Sequence, residues 1–345
     1  MSALLLIGTL HFVRPEWEQL GELKGITELK EFVEGDRQKF IQACKSGEYD
    51  NVVYMYRSNE SVKLTGPFDQ ELVDALPSSL KYICHNGAGY DNIDVAACTG
   101  KGLKVSSTPK AVDNATADTG IFLMLGALRH ANIPLATLRS NQWGKIPTPM
   151  GHDPSGKLLG ILGMGSIGRN MAAKARAFGM KIQYHNRTRL SPDLEAGAEY
   201  VDFETLLKTS DVFSLNLALN EKTRHIIGKE ELRKMKKGVT IVNTARGALI
   251  DEAALVEALN DGDRIWSVGL DVFEEEPKVH PGLMSNERVF LLPHIGTATS
   301  ETRRSMELLV LENIKSAVEE GKLVTPIPEQ ASMYKTRTRP VRSYL

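Results

Sequence analysis

Three charged groups in the second half of the chain each follow an apolar run that reads as a β-strand. Arg246 stands in Val242-Asn243-Thr244-Ala245-Arg246-Gly247. The acidic run Asp271-Val272-Phe273-Glu274-Glu275-Glu276-Pro277 follows the next strand, and His294 stands in Leu291-Leu292-Pro293-His294-Ile295-Gly296. These residue types suit reduction of a ketone by hydride. As hydride reaches carbon, negative charge grows on oxygen, and a histidine near neutrality can deliver a proton there. A carboxylate beside the histidine fixes the ring and favours its charged form. An arginine polarises the carbonyl and holds a substrate carboxylate. Singly, each has an ordinary explanation: a surface cap, a solvated acidic loop, a hydrogen-bonded structural histidine. Together they sit on successive strand ends, where a doubly wound sheet places its ligands.

The run Leu158-Leu159-Gly160-Ile161-Leu162-Gly163-Met164-Gly165-Ser166-Ile167-Gly168 indicates the hydride source. It reads as a buried strand delivering a Gly-x-Gly-x-x-Gly turn into a helix, here Arg169 to Phe178. Gly163 permits the tight turn, Gly165 lets a pyrophosphate approach the backbone, and Gly168 lets the helix pack on the strand. With Ser166 and Ile167 these form the expected phosphate site at a helix N-terminus. In a chain with 29 glycines such a hexapeptide can arise by chance; the strand before it and the helix after it argue otherwise. A second strand, Lys181 to Tyr184, ends in His185-Asn186-Arg187-Thr188-Arg189. NAD sites usually carry Asp or Glu there, about 20 residues beyond the first glycine. This segment has no acid and two arginines. Asn186, Arg187, Thr188 and Arg189 are therefore expected to favour NADPH over NADH, arginine pairing with a 2′-phosphate. A solvated basic loop is the bland alternative.

Short apolar strands alternate with helical stretches throughout, the pattern of parallel α/β sheets. The first series is Ala3–Ile7, Val52–Met55, Tyr82–Cys84 and Lys104–Ser106. The second is Leu158–Leu162, Lys181–Tyr184, Val212–Leu217, Thr240–Val242, Ser267–Leu270 and Val289–Leu291. The cofactor unit thus begins mid-chain. Long helical stretches at Thr116–His130 and Ser300–Glu320 flank it and read as connections between domains, although ordinary core helices would look the same. The expected domains are 1–112 plus 301–345 for substrate and 113–300 for dinucleotide, with the active site in the cleft between them. Ala131–Pro154 lacks periodicity and reads as a long loop or interaction arm. The basic tail with Lys335, Arg337, Arg339 and Arg342 reads as mobile and is given no role.

A length of 345 residues accommodates two domains, and 42% apolar with 25% charged residues is globular composition. A net charge of −1 argues against nucleic acid or an anionic membrane as the main partner. Ala3–Ile7 is too short for a signal peptide or a span. Cys44, Cys84 and Cys98 are odd in number and lack metal-ligand spacing, so a reduced, cytoplasmic protein without a metal is expected.

With these motifs in view, the chain resembles the D-2-hydroxyacid dehydrogenases, and within them the fungal glyoxylate or hydroxyacid reductases. The resemblance runs from Asn86-Gly87-Ala88-Gly89-Tyr90-Asp91-Asn92-Ile93-Asp94 to Pro293-His294-Ile295-Gly296. It implies a Rossmann-type domain inserted into a flavodoxin-like substrate domain. It implies that Arg246 binds the substrate carboxylate and carbonyl, that His294 is the acid/base, and that Glu276 is its partner. Backbone N–H groups of Ala88 and Gly89 would hold the carboxylate, though an ordinary strand-to-helix turn would look alike. Asp271 would meet the nicotinamide carboxamide, with Thr244 and Ala245 against the ring. Arg57, just past the second strand, is a further candidate for substrate. Asp118 replaces a common glutamate and keeps its charge. Ala218 replaces a common proline beside the adenine, where the resemblance places a contact of Leu217. The implied reaction is NADPH-dependent reduction of glyoxylate or hydroxypyruvate to a D-2-hydroxyacid, in a homodimer formed through the cofactor domains and the Ala131–Pro154 arm. The alternatives are a reductase of aryl or branched 2-oxoacids, and a non-catalytic dinucleotide-sensing corepressor.

Overall fold

The structure, a computed structural model, describes residues 2–334. The basic residues Lys335, Arg337, Arg339 and Arg342 lie outside the described residues. The chain divides into two compact units, Met1–Ala111 with Thr299–Leu345, and Val112–Ala298.

The first unit carries a five-stranded sheet of β1 (Ser2–Ile7), β2 (Ile26–Phe32), β3 (Val52–Ser58), β4 (Tyr82–Asn86) and β5 (Lys104–Ser106). The order is β2-β1-β3-β4-β5 and every pairing is parallel, the flavodoxin-like arrangement. In β1, Leu5 and Ile7 enter one core with Phe40 and Phe68, while Leu4 and Leu6 enter another with Trp17 and Ile314. Alternate residues face opposite sides, so a strand covered on both sides must be apolar throughout.

The second unit carries seven parallel strands, β6 (Leu158–Leu162), β7 (Lys181–His185), β8 (Glu199–Tyr200), β9 (Val212–Leu215), β10 (Val239–Asn243), β11 (Ile265–Leu270) and β12 (Val289–Leu291). Their order is β12-β11-β10-β9-β6-β7-β8. Strand order therefore reverses at β6, the strand that feeds the glycine run, and such a reversal is where a doubly wound sheet binds its ligand. The helices Asp113–Leu128 and Ser166–Ala177 pack on this sheet through Leu123, Met124, Met171 and Ala172.

Two strands depart from the expected set. β2 has the burial of an edge, with Thr27 and Glu28 exposed, and β8 is two residues long; neither has an apolar run to reveal it. The arm also differs from a plain loop: Asn132–Arg139 is helical, with Pro134 in its first turn, where a missing N–H costs nothing. Among the described residues no single helix is long and apolar enough to cross a membrane.

Candidate active site

The glycine run forms a turn between β6 and the helix Ser166–Ala177, with Gly165 at the N-cap. Gly163 has φ +98°, and a Cβ there would lie 2.7 Å from the Asn216 carbonyl oxygen. A Cβ on Gly168 would lie 2.5 Å from the carbonyl oxygen of Gly163. Gly165 differs: a Cβ there would meet nothing within 4 Å. Internal packing does not demand glycine at 165. What it leaves is bare backbone facing open space at a helix N-terminus, which fits a dinucleotide pyrophosphate. The Ser166 hydroxyl donates to Asp113 Oδ1 at 2.9 Å, and Ile167 is half-buried beside it.

At the end of β7 the four polar candidates have different surroundings. Asn186 Oδ1 accepts the Met164 N–H at 2.7 Å, so this side chain braces the glycine turn. Arg187 and Thr188 are exposed. Arg189 is drawn away: its Nε lies 2.7 Å from Glu195 Oε1, and Glu195 also accepts the Tyr184 hydroxyl at 2.7 Å. Its guanidinium lies 5.9 Å from the Tyr200 ring centre. The two arginines that the sequence treats alike are thus separated. Arg189 belongs to a surface cluster, whereas Arg187 makes no ion pair among the described residues. Half-buried Leu217 packs at the other side of the turn, its Cδ2 3.0 Å from where a Gly163 Cβ would stand.

Arg246 is half-buried just beyond β10. Asn243 holds its turn: Oδ1 accepts the Ala245 N–H at 3.0 Å, and Nδ2 donates to the Arg246 carbonyl at 2.8 Å. Thr244 is buried and Ala245 half-buried in the same turn. A Cβ on Gly247 would fall 1.9 Å from the carbonyl carbon of Phe273. The Arg246 turn is therefore pressed against the acidic run.

In that run it is Glu276 that meets the histidine, Oε2 lying 2.7 Å from His294 Nδ1. Its Oε1 accepts the Phe273 N–H at 3.0 Å. Burial raises the Glu276 pKa, but the His294 and Phe273 hydrogen bonds and the nearby Arg246 charge outweigh it and hold the group below the ordinary carboxylate range. An ionised carboxylate only accepts, so His294 Nδ1 carries a hydrogen and Nε2 is left to exchange a proton. Glu274 instead contacts His225 Nε2 at 2.5 Å, and Glu275 is exposed.

His294 has φ +53°, a left-handed conformation costly for a side-chain-bearing residue. Asp271 holds it there. Its two oxygens accept the N–H groups of Ile295 and Gly296, both at 2.7 Å. Burial pushes the Asp271 carboxyl above its ordinary range, partly offset by these two bonds. Asp271 thus braces the His294 turn, and each of its oxygens keeps a further lone pair, so this bracing leaves open the nicotinamide contact that the resemblance implies.

In the first unit the Ala88–Gly89 turn follows β4. Both residues are half-buried, and neither N–H has an acceptor among the described residues. Arg57 does not stand at an open strand end. It is fully buried, bonded through Nη1 to His85 Nδ1 at 3.0 Å and Asn92 Oδ1 at 3.2 Å, and stacked 4.7 Å over the Phe68 ring centre. The expectation of a substrate-facing arginine is corrected: Phe68, His85 and Asn92, brought in by other segments, cover this strand end and bury the side chain. Burial pushes its pKa down to about 10. Sequence reasoning missed Asn243 and His85 altogether. Each is a polar residue in the last two positions of an apolar strand, just before a turn that carries candidate site residues, and that position is the signal.

Residues 121–296 match the family model "D-isomer specific 2-hydroxyacid dehydrogenase, NAD binding domain". The chain is 63% identical over 334 residues to 4-methyl-2-oxopentanoate reductase A of Aspergillus oryzae, covering 97% of this chain and 100% of that protein. It superposes on the crystal structure of a glyoxylate reductase from Paecilomyes thermophila with a TM-score of 0.93 at 63% identity, covering 95% and 99% of the two chains. It superposes on an NADPH-dependent glyoxylate/hydroxypyruvate reductase of Sinorhizobium meliloti, solved with NADP and malonate, with a TM-score of 0.82 at 30% identity, covering 95% and 97%. Sequence, strand order and the His–Glu pair agree: the chain belongs to the D-isomer specific 2-hydroxyacid dehydrogenase family of oxidoreductases.

Proposed function

We propose that this protein is an NADPH-dependent reductase of small 2-oxoacids, glyoxylate and hydroxypyruvate first, yielding D-2-hydroxyacids. The observation that carries the reading is the 2.7 Å contact of Glu276 with His294 Nδ1, which leaves Nε2 as the proton-exchanging atom in the unit that carries Arg246 and the open glycine turn. Backbone N–H groups at Gly165, Ser166 and Ile167 would hold the pyrophosphate, Leu217 would border the adenine, and Thr244 and Ala245 the nicotinamide. When bound, the nicotinamide supplies the hydride. Arg246 binds the substrate carboxylate and draws electron density toward the carbonyl oxygen. His294 holds a proton at Nε2 and passes it to that oxygen, while Glu276 fixes the ring and balances its charge. The Ala88 and Gly89 N–H groups serve as a second carboxylate cradle.

The missing acid at Asn186 and the unpaired Arg187 support NADPH. A charge-assisted bond to a 2′-phosphate contributes roughly 1.5–3 kcal/mol, about ten-fold or more in affinity. A branched substrate is the second reading, favoured by the name of the Aspergillus relative. The test is initial rates of NADPH and NADH oxidation with glyoxylate, hydroxypyruvate and 4-methyl-2-oxopentanoate, on wild type and Arg187→Ala. Fast NADPH turnover with the small acids, and loss of the NADPH preference in the variant, are expected. Turnover confined to the branched acid overturns the substrate and keeps the mechanism. No turnover, with dinucleotide still bound, leaves a sensor role.

A further inference from the structure

We propose that Arg57 and His85 are positioning residues, acting through the backbone and not on substrate, that anchor the far side of the Ala88–Gly89 turn whose two N–H groups would hold a carboxylate. The proposal rests on the reading of that turn as a carboxylate cradle.

The geometry leaves one hydrogen-bond assignment. An arginine donates and never accepts. The His85 Nδ1 that lies 3.0 Å from Arg57 Nη1 must therefore present its lone pair. The ring hydrogen then sits on Nε2 and is donated to the Gly89 carbonyl at 3.1 Å. This fixes the peptide that follows Gly89. The peptide that precedes Ala88 is fixed independently, because the Gly87 carbonyl accepts the Thr108 N–H at 3.0 Å. Across a trans peptide the C=O and N–H point in opposite directions. With the Gly87 carbonyl committed to Thr108, the Ala88 N–H faces away from β5 and its extension. The Gly89 N–H lies in the one peptide between these two anchored planes.

The turn is also shaped around the ring. A Cβ on Gly87 would lie 2.4 Å from His85 Nε2, so any side chain there would displace the imidazole from both partners. Packing alone does not account for the arginine. It is fully buried, its Nε and Nη2 have no acceptor among the described residues, and an apolar residue would fill the same volume without that cost. Asn92 Oδ1 and the Phe68 face hold the guanidinium at the ring.

The test compares His85→Phe, Arg57→Met, the conservative His85→Gln and Arg57→Lys, and Ala88→Pro, which deletes one cradle N–H and removes no side-chain atom of the relay. Thermal unfolding and NADPH binding by fluorescence check the fold of each. Steady-state kinetics use glyoxylate or 4-methyl-2-oxopentanoate, whichever turns over faster. H85F and R57M are expected to raise KM about ten-fold or more with a smaller change in kcat, at unchanged NADPH affinity. R57M is expected to keep the melting temperature, since it removes an incompletely paired buried charge. H85Q and R57K should recover part of the KM. A raised KM in A88P with an unchanged KM in folded H85F and R57M overturns the relay and leaves the cradle standing. An unchanged KM in A88P and both relay variants overturns the cradle and the relay with it. Loss of melting temperature, kcat and KM together, with no rescue, makes the pair a structural element only and also overturns the proposal.

Discussion

At the scale of single residues, the acidic run shows what a sequence does and does not disclose. Glu274, Glu275 and Glu276 are interchangeable in composition; the family resemblance singles out Glu276, and the path of the chain after β11 is what carries it to His294. Likewise Arg187 and Arg189 have equal charge, but Glu195 takes one of them. Residue type and strand-end position were legible; side-chain partners depend on where distant segments land. The Glu276 environment carries a pH signature. Its carboxyl titrates below the ordinary glutamate range in the fold, which is about 4.3 in unfolded chains. The ionised group therefore stabilises the protein above that pH, and the contribution is lost as pH falls through the folded value. Urea unfolding midpoints of wild type and Glu276→Gln, measured from pH 7 down through this window, are expected to converge on acidification. Parallel curves would show that Glu276 gains nothing from His294 and the Phe273 N–H.

At the scale of elements, strands buried on both faces announced themselves as apolar runs, and the glycine turn announced its helix. β2 and β8 did not, because an edge strand has one open side and no need of a continuous apolar run. The arm hid the helix Asn132–Arg139, whose proline reads as a breaker until its first-turn position is known. The glycine turn itself separates folding from binding. Gly168→Ala would place a Cβ 2.5 Å from a backbone oxygen that cannot rotate away, whereas Gly165→Ala would place one in open space. The first is expected to lower thermal stability. The second is expected to leave the melting temperature within error and weaken NADPH binding at least several-fold, read by fluorescence titration. If G165A binds NADPH like wild type, the open backbone at 165 is not where the pyrophosphate rests.

At the scale of the whole molecule, two parallel sheets of flavodoxin-like and Rossmann order follow from alternating strands and helices, and the mid-chain glycine run reveals which sheet holds the dinucleotide. What a single chain does not reveal is how its exposed apolar surface is used. The arm concentrates such surface: Trp143 and Met150 are 82% and 86% exposed, and Leu138 on the short helix is 59% exposed. Large apolar side chains grouped on one segment mark an association surface more often than a solvated one. A second copy of this chain is the partner the family resemblance implies, and closed twofold symmetry would cover both arms at once. Sedimentation equilibrium of the wild type is therefore expected to give a dimer. The double variant Trp143→Glu with Leu138→Glu is expected to shift it toward monomer while leaving NADPH affinity intact, because the glycine turn lies elsewhere in the unit. A wild-type monomer at micromolar concentration would refute the assignment of the arm, and a dimer indifferent to both substitutions would place the contact on another face.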